Sequence, residues 1–184
     1  MGLDINVLTD NYDEISELEE FEAIDDTCNL SREFCNLICR KSVIESGIPE
    51  LDQIASITNC DISFLYKMEE YISEWQLEEL MEYEDEETVE SYKKANSEIE
   101  NNIDAVISDL KCLHEKLFQL ENLEEKIAQT EYDTIGINYY FSDFKTDKGN
   151  GYIGNNFGRD LRNLLRFAEF AKFHSAKTIF FEFG

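Results

Sequence analysis

Between residues 86 and 129, apolar side chains recur at alternating spacings of three and four: Val89, Tyr92, Ile99, Ile103, Val106, Leu110, Leu113, Leu117, Leu120 and Ile127. No proline or glycine interrupts them. This is a heptad repeat, with Ile103, Leu110 and Leu117 at a positions and Ile99, Val106, Leu113, Leu120 and Ile127 at d positions. Two seam positions are polar, Asn96 and Glu124, and an asparagine at an a site is the residue type that fixes register. As one helix the segment would extend on the order of 60 Å. That is about twice the reach of the helix predicted over residues 61–81, so a simple hairpin leaves much of the seam uncovered. Three arrangements bury it: a homodimer through helix 86–129, a break near Asn101-Asn102 that folds the segment back, or a helix from another protein.

The flanking sequence has a different periodicity. Residues 2–9 alternate Leu3, Ile5 and Val7 with Asp4 and Asn6 and predict a strand, and residues 177–183 predict a central strand. Helices are expected over residues 13–24, from an N-cap at Ser31 to Lys41, over 50–58, and over 159–174 with Leu161, Leu164, Leu165, Ala168 and Ala171 inward. Alternation of Ile135, Ile137, Tyr139 and Phe141 predicts a further strand, followed by a polar turn. The fold class that follows is α+β and mostly helical. A small sheet from the N- and C-terminal segments carries a long helical hairpin or coiled-coil extension in the middle. We expect one domain over 1–184, with 61–129 as a helical extension and 130–184 as a strand-loop-helix-strand unit that completes the sheet.

Charge narrows the function classes. The chain has 41 Asp+Glu against 16 Lys+Arg, a net charge of -25. Residues 145–184 hold seven basic and four acidic residues, or +3, which leaves -28 on the first 144. Such a surface repels phosphates and anionic lipid, so neither direct nucleic-acid binding nor membrane binding is expected. Residues 51–65 have the outline of a helix-turn-helix, with Asn59 at the left-handed turn. The second helix, however, offers Asp61, Lys67, Glu69 and Glu70, and so predicts a helical corner without DNA contact. No apolar run reaches membrane-spanning length, and the acidic start is unlike a signal peptide.

Two runs lack any basic residue: nine acids from Asp10 to Asp26 and eleven from Glu69 to Glu90. Apolar residues are interleaved with both, so the runs are candidates for docking on a basic surface rather than only for keeping the chain in solution. The candidate partner-binding residues are Asp13, Glu14, Glu17, Glu19, Glu20, Glu22, Asp25 and Asp26 in the first run. In the second they are Glu74, Trp75, Glu78, Glu82, Tyr83, Glu84 and Asp85. In the alternative reading the apolar residues of these runs face the core.

Signals for chemistry are sparse. Gly149-Asn-Gly-Tyr-Ile-Gly154 spells G-x-G-x-x-G, but it follows the predicted strand at a distance, and Glu182 lies 33 residues on where about 20 is expected. A looser candidate is an anion site of Lys148, Gly154, Asn155, Gly158, Arg159 and Arg162 at the start of the last helix. Its alternative is arginines paired with the chain's own carboxylates. Cys28, Cys35, Cys39, Cys60 and Cys112 are an odd number without a Cys-x-x-Cys pair and are expected to be reduced cytoplasmic thiols, with no metal site. No hydrolase, zinc-protease or phosphate-loop motif occurs. We therefore expect a non-enzymatic protein without cofactor that binds a basic toxin or nuclease, in the manner of an immunity protein or a phage-type inhibitor. A small-anion or nucleotide binder using residues 149–159 and a coiled-coil adaptor are the alternatives.

Overall fold

Antiparallel pairing of the chain's two ends organises the fold. In the computed structural model, which describes residues 4–130, 137–149 and 153–184, β1 (Ile5–Thr9) pairs with β2 (Ile179–Phe183). Ile5 lies opposite Phe183 and Thr9 opposite Ile179. Between them run α1 (Tyr12–Ser16), α2 (Phe21–Cys28), α3 (Arg32–Ile38), α4 (Arg40–Val43), α5 (Glu50–Thr58), α6 (Ser63–Glu70), α7 (Glu74–Tyr83), α8 (Glu86–Ile99) and α9 (Ile103–Gln119). A short α10 (Ile137–Tyr140) and a long α11 (Phe157–Phe173) complete the order. The protein is thus mostly helical α+β, with a two-stranded sheet made from its termini.

The heptad residues over 103–117 face inward, toward the chain itself. Ile103, Val106, Leu110, Leu113 and Leu117 are buried, and α9 packs along α11. The segment is not continuous: α8 ends at Ile99 and α9 begins at Ile103, with Asn101 in the left-handed region at φ 59. Asn102 makes the break possible. Its amide accepts from Ile179 N–H and donates to Ile179 C=O, both at 2.8 Å, and so supplies β2 with a substitute strand partner. Ile103 N–H donates to Lys177 C=O and Asn101 N–H to Thr178 Oγ1. The start of α9 thereby covers backbone groups of β2 that β1 leaves open.

Several expected elements are cut or changed. The helix over 13–24 is two, α1 and α2, and that over 61–81 is interrupted between Glu70 and Glu74. Ser73 starts α7 with a capping box, its Oγ accepting from Gln76 N–H while Gln76 Oε1 accepts from Ser73 N–H. The strand expected over 135–141 falls partly outside the described residues. Where it is described, Ile137–Tyr140 is a helical turn. Tyr140 and Phe141 are adjacent and both buried, which an alternating strand cannot provide, while Tyr139 is exposed.

Buried polar groups lock the helices together. Asp160, on the first turn of α11, is fully buried. Its Oδ1 accepts from Ser31 N–H and Asn155 Nδ2, both at 3.1 Å, and its Oδ2 accepts from Ser31 Oγ at 2.5 Å and Tyr140 Oη at 2.8 Å. The same Ser31 Oγ accepts from Phe34 N–H as the N-cap of α3. A second lock is the buried pair Arg40 and Glu50, 3.3 Å apart, whose carboxylate also accepts from the Thr130 hydroxyl at 2.8 Å.

Candidate functional site

The second acidic run folds into a hairpin of α7 and α8 that is anchored at its base and open elsewhere. The anchor is specific. The Asn96 amide accepts from Ile72 N–H at 3.1 Å and donates to Ile72 C=O at 2.7 Å, and Tyr71 stacks on Phe180 of β2 with ring centroids 4.1 Å apart. Asn96 therefore serves the hairpin's base. Asp85 starts α8 as its N-cap, accepting from Thr88 N–H at 2.8 Å, a bond that holds its carboxyl below the usual carboxylate range.

Beyond that base the hairpin buries little. None of the described side chains of α7 is buried, and α8 buries Val89 and Ile99. Met81 and Tyr83 are 60% and 77% exposed. Ile72, Leu80, Tyr83 and Tyr92 line a groove of about 300 Å³ together with Gln76 and Glu79. A neighbouring groove of about 410 Å³ is lined by Met81, Val89, Glu84, Glu86, Glu90 and Lys93. Around them Glu78, Glu79, Glu82, Glu84, Asp85, Glu86, Glu87 and Glu90 are all exposed. Among the described residues, none of these eight carboxylates takes part in an ion pair. The side chains of Glu74 and Trp75 lie outside the described ones. Glu78, Glu82, Tyr83, Glu84 and Asp85 are among the candidates named from the sequence; Glu79, Glu86, Glu87 and Glu90 belong to the same acid run without being named, and Met81 and the second wall at Tyr92 are singled out by neither charge nor the run. The i, i+3 and i+4 spacings within each helix, Leu77 to Leu80 and Met81 on α7 and Val89 to Tyr92 on α8, are the signal that would have found the apolar ones.

The first run lies differently. Ile15 and Phe21 are buried, Leu18 and Ile24 pack against the core, and Phe21 meets Tyr12 and Phe170. Asp10 caps the start of β2, its Oδ1 accepting from the N–H groups of Lys177 and Thr178. Glu20 lies 3.6 Å from His174. Asp13, Glu14, Glu17, Glu19 and Glu22 are exposed, and the side chains of Asp25 and Asp26 are outside the described ones. Here the apolar residues belong to the core and the acids form its solvated face.

The residues considered for anion binding are engaged by their own loop. Arg162 donates to Asp147 through Nε at 3.1 Å and Nη2 at 2.5 Å and to Phe144 C=O through Nη1. Those bonds hold the Asp147 carboxyl below its ordinary range. Arg159 donates to Gly149 C=O, and Lys148 lies 2.7 Å from Asp143. The N-terminus of α11 is closed by Asn156, whose Oδ1 accepts from Arg159 N–H. Its Nδ2 donates to the carbonyls of Ser142, Asp143 and Thr146. Asn155 is buried and turned to Asp160. Gly154 closes against Gly149, where a Cβ would come within 2.3 Å of backbone, and Gly158 sits on Phe144 C=O with 2.0 Å for a Cβ. These glycines serve backbone packing. The middle of the G-x-G-x-x-G stretch, residues 150–152, lies outside the described residues.

His114 packs against the rings of Phe118 and Phe144, and burial lowers its pKa; His174 ends α11. Among the described residues, no group of three or more His, Cys, Asp or Glu side chains is placed to hold a metal ion. Nor is any helix long and apolar enough to cross a membrane. Comparison of the chain with family models, with curated proteins and with solved structures finds no match.

Proposed function

We propose that the protein is a non-enzymatic acidic binding protein whose α7–α8 hairpin occupies a basic surface on a partner protein, in the manner of an immunity protein or an inhibitor of a nuclease. The observation that carries the reading is the combination on one hairpin of eight exposed carboxylates, none in an ion pair among the described residues, with one mainly apolar groove, a second groove where Met81 and Val89 sit among charged side chains, and exposed Met81 and Tyr83. Carboxylates speed and orient the encounter, and the aromatic and methionine side chains supply the apolar contact that retains the partner. The five free thiols fit a reducing compartment such as the cytoplasm.

The test is binding to a purified partner identified by affinity capture. Glu78→Lys with Glu82→Lys should weaken the complex on the order of tenfold or more, chiefly through slower association, and added salt should weaken the wild-type complex. Tyr83→Ala should raise the dissociation rate and cost about 2 kcal/mol. Reversal of Glu14 and Glu17, on the other acidic face, should leave affinity within about twofold, the small effect of a charge outside the interface. A complex indifferent to salt and to the hairpin substitutions, or one lost by the Glu14 and Glu17 reversal alone, would overturn the reading.

A further inference from the structure

Cys60 and Cys112 are 52 residues apart in sequence, and their Sγ atoms lie 3.5 Å apart. The approach is built into the helical corner. Asn59 takes the left-handed conformation at φ 53 and ends α5, so the chain turns and delivers Cys60 toward α9. Thr58 fixes it there, with Oγ1 donating to Ile54 C=O at 2.7 Å and accepting from Cys60 N–H at 3.3 Å. Cys112 sits on the exposed side of α9, while Cys60 is 9% exposed behind it. A disulfide needs the sulfurs about 2 Å apart, so the pair closes by a movement of about 1.5 Å. The other cysteines differ in access: Cys28 and Cys35 are buried, and Cys39 is partly covered one helical turn from Cys35.

We propose that Cys60 and Cys112 form a reversible modification site whose substrate is a small aliphatic disulfide such as oxidised glutathione. The Cys112 thiolate attacks one sulfur of the reagent, forming a mixed disulfide and expelling the other half as a thiolate that takes up a proton. Deprotonated Cys60 then attacks Cys112 Sγ, and the second half leaves in the same way. Two protein thiols are oxidised to one disulfide, and the reagent is reduced to two thiols. The entry thiol is the exposed one and the resolving thiol the covered one. The hydrogen-bonded contact with Cys60 raises the Cys112 pKa, so the entry step quickens as pH rises. The cross-link closes a loop that contains α6, α7 and α8 and joins the ends of the segment that carries the acidic hairpin.

The experiment equilibrates the full chain with oxidised glutathione at pH 8, counts free thiols after denaturation and maps the cross-link by mass spectrometry without reduction. Wild type should fall from five free thiols to three, with Cys60 joined to Cys112. Cys112→Ser should keep its four thiols, and Cys60→Ala should stop at a glutathione adduct on Cys112. The oxidised wild type should melt roughly 10 °C above the reduced form, a difference abolished by dithiothreitol. Five thiols retained, a lasting adduct on Cys112 beside free Cys60, a cross-link between other cysteines, or a cross-linked form that melts below the reduced one would overturn the proposal.

Discussion

Asp160 carries a carboxylate into the interior of a protein that already has too many. Four donors from three segments make the position tenable, yet burial still raises its pKa, to about 6 from an ordinary 3.8. The folded chain therefore holds this proton at pH values where the unfolded chain has released it. Stability from this group is greatest at low pH and is lost as pH rises through 6. Between pH 7.5 and pH 5, which is still above the sequence pI of about 4.2, wild type should gain roughly 1–2 kcal/mol relative to Asp160→Asn, whose amide does not titrate. Urea unfolding of the two proteins across that range measures it. A constant difference would show that the carboxyl is already ionised in the native state across that range, as it is in the unfolded chain. None of this is legible from the acid itself, one of four in a basic segment, because burial comes from Ser31 and Tyr140, distant in sequence. The Ser31 cap, by contrast, is readable from the sequence, because a cap is a local pattern.

The same contrast between local and distant causes separates the elements. The heptad spacing of residues 89–117 is enough to place the inward face of α9, because a stripe on a helix is a property of its own sequence. What the stripe faces is not legible there: α11 lies far along the chain and covers it. The break between α8 and α9 is one of three arrangements the spacing allows, and its cause is the Asn102 amide on β2, a contact no periodicity reports. Two other helix starts have local signals of their own, Ser73-x-x-Gln76 and Asp85 before α8, and these divide what apolar spacing alone runs together. On this account Asn102→Ala leaves the Ile179 N–H and C=O without their partner and should cost about 2–3 kcal/mol in denaturant unfolding. Asn101→Gly, at a left-handed position glycine adopts freely, should change stability by less than about 1 kcal/mol. Equal losses from both substitutions would mean that general disturbance of the junction, and not the amide, holds it.

At the scale of the molecule, the uneven charge leaves a repulsion that its ion pairs do not remove. Lys111–Glu169 and Lys172–Asp104 tie α9 to α11, joining the acidic body to the mildly basic C-terminal segment, but both pairs are about half exposed and contribute little. The carboxylates of residues 78–90 have no such partners among the described residues, and they crowd one hairpin whose second helix is held by few buried side chains. Salt screens repulsion between exposed like charges over about 10 Å, so the free protein should become more stable as sodium chloride rises from 20 to 500 mM, by roughly 3–8 °C in melting temperature. Glutamine at positions 78, 82, 86 and 87 should raise the melting temperature at low salt and flatten that dependence, since it removes charge while keeping side-chain length. A complex with a basic partner answers salt in the opposite sense, because screening weakens attraction there. Scanning calorimetry of wild type and the four-glutamine variant at both salt concentrations measures the effect in the free protein. A wild-type melting temperature that falls with salt would mean that attraction between the acidic body and the basic C-terminal segment outweighs the repulsion within the hairpin.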